Sequence, residues 1–62
     1  MPTEIGLEGG LVFVVDEEID DVSNRLYQSQ DKQLTASFTE RGSGDRVDIF
    51  PSAVKFLRST AQ

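Results

Sequence analysis

The chain has 62 residues, no cysteine, no histidine and a net charge of −5. That length suits one domain over residues 1–62, and a domain so small buries only roughly 60% of the surface its unfolded chain exposes. Disulfides and the common zinc sites are excluded, which leaves close packing or self-association as reinforcement, and the acidic balance argues against broad binding to nucleic acid or anionic membranes.

The opening Met1-Pro2-Thr3-Glu4 lacks a basic region followed by an apolar stretch, as a secretory leader needs. Ile5 and Leu7 alternate around Gly6 and predict a short first strand. Glu8-Gly9-Gly10 reads as a tight turn. Leu11-Val12-Phe13-Val14-Val15 is all apolar and mostly β-branched or aromatic, the strongest strand signal in the chain. It is also the longest apolar run, far short of the roughly 20 residues of a membrane span, so a cytoplasmic location is expected.

Asp16 is placed to cap a helix, and Glu17, Glu18, Asp20 and Asp21 follow where carboxylates suit the helix dipole. Ile19, Val22 and Leu26 share one helical face, and Asp21 and Arg25 stand at i, i+4. A helix over about residues 17–28 is predicted, with Tyr27 against the sheet rim and a polar exit loop from Gln28 to Gln33. Leu34, Ala36 and Phe38 then alternate with polar residues and predict a strand with these three inward. Glu40 to Asp45 is a hairpin loop whose Gly42 and Gly44 are free to adopt positive φ. Val47 and Ile49 face inward on the next strand, Pro51 breaks it with Phe50 over its end, and Val54 and Phe56 face inward on the last. Residues 59–62 read as a frayed tail. The expectation is a small α+β domain in ββαβββ order. Its five short strands form a curved antiparallel sheet with one helix packed on it.

Alternation in residues 34–39, a glycine turn, and Val47-Asp48-Ile49-Phe50-Pro51-Ser52-Ala53-Val54-Lys55-Phe56-Leu57 follow the Asp16-initiated helix. This layout, over roughly residues 5–58, is similar to small uncharacterised actinobacterial proteins that run strand, helix, strand, strand, a proline corner and a final strand. That family carries no assigned activity, so the resemblance implies a fold and no functional residue.

Chemistry finds little support. Without histidine or cysteine there is no Ser-His-Asp triad and no thiol nucleophile. The carboxylates cluster at one helix start in a chain too short to build a cleft around them, so no catalytic residue and no enzymatic role is expected. Asp16, Glu18 and Asp20 match the 1, 3, 5 spacing of a calcium loop, but Asp21 stands where glycine is needed and Tyr27 where a bidentate glutamate is needed. Gly42-Ser43-Gly44 does not lie between a strand and a helix, as a phosphate-binding loop does. No metal or cofactor is expected.

Two surfaces remain. Residues 1–31 carry eight acids against Arg25 alone, whereas residues 32–62 carry five cations against three acids. Arg41, Arg46, Lys55 and Arg58 thereby define a possible basic edge for an anion or nucleic acid. The other surface is apolar. If Leu11, Phe13 and Val15 face one side of their strand, Val12 and Val14 face the other, and Leu57 falls on the opposite parity from Phe56. One helix covers one face of a sheet, so Val12, Val14 and Leu57 are the expected partner interface unless the sheet closes into a barrel. The leading expectation is a small non-enzymatic interaction or accessory protein that forms a homodimer or binds another protein. A nucleic-acid or anion-binding module using the basic C-terminal hairpin is the alternative.

Overall fold

The computed structural model describes residues 1–61. Five strands and one α-helix follow in the order β1 (Thr3–Leu7), β2 (Val12–Val15), α1 (Ile19–Asp31), β3 (Ala36–Thr39), β4 (Arg46–Ile49) and β5 (Val54–Ser59). The fold is the α+β arrangement in ββαβββ order that the residue pattern predicts. The strands form two antiparallel sheets, β2-β1-β5 and β3-β4. One bridge, Val15 to Glu40, joins them at a corner. The Asp16 N–H donates to the Thr39 carbonyl at 2.9 Å there, and the Arg41 N–H to the Val14 carbonyl at 2.8 Å. No ladder joins β4 to β5 among the described residues, so the sheets do not close into a barrel.

The core gathers one or two residues from each of β1, β2, α1, β3 and β4: Ile5, Val15, Val22, Leu26, Ala36, Phe38 and Ile49 are buried, with Leu7, Val47, Val54 and Leu57 packed around them. On α1 the i, i+3, i+7 stripe does what its spacing requires, with Val22 and Leu26 buried and Ile19 half-buried. Among the described residues Thr3 is the one buried polar side chain, and its hydroxyl donates to the Glu17 carbonyl at 2.8 Å, which satisfies the group and pins the helix entry to β1.

Several expectations are corrected by the packing. The helix begins at Ile19, not near residue 17, and Glu18 in extended conformation precedes it without a side-chain cap. Asp16 is not the cap, because its side chain pairs with Arg41. At the other end the helix runs through most of the expected polar loop. It stops in a glycine-free Schellman turn, where Leu34 N–H donates to the Ser29 carbonyl at 2.9 Å and Gln33 N–H to the Gln30 carbonyl at 3.2 Å. Gln33 takes the left-handed position there with φ 57°. This turn carries Leu34 off the strand and leaves it exposed, not inward. Tyr27, expected at the sheet rim, is 75% exposed, and Phe50, expected over a strand end, is exposed as well. Phe13 has the inward register opposite Ile5 but is only half-buried, at the sheet margin. Ser59 belongs to β5 and the Thr60 N–H donates to the Pro2 carbonyl at 3.0 Å, so the expected frayed tail is ordered at its start; Gln62 lies outside the described residues.

The correction with most consequence is on β5. Leu7 faces Val54 while Gly6 faces Phe56, so one step along β1 corresponds to two along β5. This bulge inserts an extra residue and reverses the side-chain alternation downstream. Val54 and Leu57 therefore both face the core, and Phe56 faces out. The ring of Phe56 then lies across Gly6. A Cβ on Gly6 would stand 2.0 Å from Phe56 Cε2, so only glycine permits this covering.

Candidate interaction surface

The outer face of β2-β1-β5 is built by the residues opposite in register to the core. Glu4 faces Val14 on one side and Arg58 on the other, and Gly6 faces Val12 and Phe56. Val12 is 48% exposed and Phe56 43%, with Val14 half-buried between β1 and the turn after β3. Of the three residues expected on this face, Val12 and Val14 are present. Leu57 is not, because the β5 bulge turns it onto the core opposite Ile5, and Phe56 takes its place. The residue pattern contains no direct sign of that bulge; the single clue is a glycine between two core positions of β1.

Ion pairs ring these apolar residues. Arg58 pairs with Glu4 and lies over the Phe56 ring at 5.7 Å from its centroid. Arg41 pairs with Asp16 at 3.1 Å. Between the two pairs is a hollow of about 390 Å³ lined by Glu4, Val14, Arg41 and Thr60. The face thus presents an apolar centre, two guanidinium groups, two carboxylates and one depression.

The four cations of the expected basic edge do not form one surface. Arg41 and Arg58 belong to the face just described. Arg46 lies on β4, where its Nε donates to Asp48 Oδ1 at 2.9 Å and its Nη2 to Oδ2 at 3.3 Å. Ser37 Oγ donates to the same Asp48 oxygen at 2.8 Å. These hydrogen bonds, Arg46 first and Ser37 second, hold the Asp48 carboxyl below its ordinary value of 3.8. Lys55 is exposed at the β5 bulge and forms no ion pair with the described residues. Three of the four cations therefore already have a carboxylate, which reduces what they offer to a phosphate.

The acidic segment before α1 serves the sheet. The Glu17 carboxylate accepts the Thr39 N–H at 3.1 and 3.2 Å, and Arg25 Nη1 donates to the Ser37 carbonyl at 3.0 Å. Arg25 is itself held by Asp21 at 3.1 Å and by Glu17 at 3.8 Å, and sits 5.9 Å from the Phe38 ring centroid. The outer edge of β3 is thus occupied by side chains and closed to another strand. The i, i+4 spacing points to the Asp21–Arg25 pair, but no spacing connects Glu17 to a backbone amide 22 residues away. Asp16, Glu18 and Asp20 are not gathered as the calcium-loop spacing would need. Among the described residues no group of three or more acidic side chains stands together to hold a metal. Among the described residues no helix is long and apolar enough to cross a membrane.

Comparison with protein-family models, with curated proteins and with solved structures gives no match to this chain.

Proposed function

We propose that this chain is a non-enzymatic interaction protein that associates with a second copy of itself through the outer face of β2-β1-β5. The observation that carries the reading is the composition of that face. Val12, Val14 and Phe56 leave apolar surface in solvent, while Glu4–Arg58 and Asp16–Arg41 supply equal numbers of both charges around it. A patch with both signs is self-complementary. Two-fold packing can set the Arg58 of one copy toward the Glu4 of the other, and isologous pairing is the commonest arrangement of soluble homo-oligomers. Burial of the apolar centre would also supply stability that a chain of this length has little of by itself.

Sedimentation and light scattering test the premise. The expected wild-type mass is two chains, with a melting temperature that rises with protein concentration. Val14→Lys places an ammonium at the centre of the contact and is expected to yield a folded monomer whose melting temperature no longer depends on concentration. A wild-type mass of one chain at several hundred micromolar overturns the proposal.

A further inference from the structure

Two of the four outermost strand edges in the molecule are closed. The outer edge of β2 bonds to the turn around Glu40, and that of β3 is held by Glu17 and Arg25. The outer edge of β5 is different. It ends its sheet, and no backbone or side-chain group among the described residues bonds to it from Lys55 to Ser59. Beside that edge runs a groove of about 280 Å³ between β5 and α1. Leu26, Val54 and Leu57 line its floor, with Pro51 at one end and Tyr27 on the helix side. Tyr27 is 75% exposed and makes no hydrogen bond or ion pair within the described chain.

We infer that the groove between α1 and β5 accepts an extended peptide segment that adds to β5 as a further strand, with apolar residues at alternate positions and carboxylates between them. Each element of that description comes from the site. Unpaired strand N–H and C=O groups are matched only by another extended backbone. Alternate side chains of an added strand point to the same side as Val54 and Leu57, into a groove whose lining carries no charged residue, so they are apolar. The intervening side chains point to the side of Phe56 and Arg58, and β5 carries two cations and no acid: Arg58 already pairs with Glu4, while Lys55, exposed at the bulge, has no ion pair among the described residues. Carboxylates there make favourable cross-strand pairs. The same charge pattern disfavours a second β5 as the occupant, because two copies would bring only cations together. The groove lies on the core side of β5, away from Val12 and Val14, while the intervening positions of the added strand border Phe56 and Arg58 of the outer face.

The test is a titration of the isotope-labelled full chain with an end-blocked octapeptide of alternating valine and glutamate, followed by amide resonances. A peptide alternating valine and lysine is the control. Shifts confined to residues 54–59 and to Ser23, Tyr27 and Gln30 of α1 are expected with the glutamate peptide, and none with the lysine peptide. Tyr27→Glu and Lys55→Glu alter exposed side chains and leave the core intact. Tyr27→Glu is expected to weaken binding about tenfold, and Lys55→Glu to transfer the preference to the lysine peptide. Three results would each overturn the inference: no response at β5 with millimolar peptide, equal binding of both peptides, or shifts centred on Val12 and Val14. Concentration-dependent protection of the β5 amides in the chain alone would show a second copy on this edge and overturn it equally.

Discussion

Gly6→Ala is the substitution that most directly probes the outer face. The added Cβ would lie 2.0, 2.4 and 2.6 Å from three atoms of the Phe56 ring, whereas carbon atoms settle at roughly 3.5–4.0 Å. The ring must therefore leave. It is free to do so, because Phe56 is 43% exposed, and the cost is the surface the ring now covers. A phenylalanine buries at most 150–250 Å², so a little over half of that is roughly 100 Å², or roughly 2.5 kcal/mol at about 25 cal/mol per Å². Alanine in place of a strand glycine returns about 0.5–1 kcal/mol. The net expectation is a loss of about 1.5–2 kcal/mol, or a fall in melting temperature of about 4–8 °C for each kcal/mol in a domain of this size. Urea and thermal unfolding of four chains measure it: wild type, Gly6→Ala, Phe56→Ala and the double variant. On the Phe56→Ala background the new methyl meets no ring, so Gly6→Ala is expected to be neutral or mildly stabilising there. Equal effects of Gly6→Ala on both backgrounds would refute the reasoning.

Other expectations rest on separate parts of the molecule. Gln33→Gly should stabilise the chain by about 0.5–1 kcal/mol in denaturant unfolding, since a side chain in the left-handed region costs about 1–2 kcal/mol and glycine forfeits part of the gain through unfolded-state entropy. Phe38 is 2% exposed, and Phe38→Ala should cost about 3–5 kcal/mol, most of what a chain this short possesses, so its far-ultraviolet dichroism should show a largely unfolded chain. The Asp48 carboxyl should titrate below 3.8 by carbon NMR, and Arg46→Ala should move it back toward that value more than Ser37→Ala. Because its folded pKa is depressed, the Asp48 contribution to stability is complete above the unfolded value and disappears as pH falls through the folded one, so Asp48→Asn should flatten the acid limb of the stability profile only between the ordinary value of 3.8 and the lower folded value.

The order of elements was readable from residues alone, because it depends on short-range periodicity. Period-two alternation marked β1, β3 and β4, the Ile19, Val22, Leu26 spacing marked α1, and Gly42 and Gly44 marked the hairpin loop, where their φ values are 98° and 75°. The lack of histidine and cysteine was equally decisive about which chemistries to set aside. Faces and partners were decided elsewhere. Which side of β5 meets the core depends on its register against β1, and one bulge opposite Gly6 and Leu7 exchanges Phe56 for Leu57. Glu17 and Asp16 look like helix-start carboxylates by position, yet they serve Thr39 and Arg41, more than 20 residues away. The expected basic edge disperses once β1 places Glu4 beside Arg58 and the corner after β3 places Arg41 beside Asp16, while Arg46 pairs locally with Asp48 on its own strand. Local sequence sets what a segment can form, because its backbone geometry and side-chain spacing are its own. Which groups neutralise, cover or expose one another is a property of strand register, and register exists only after distant segments have packed.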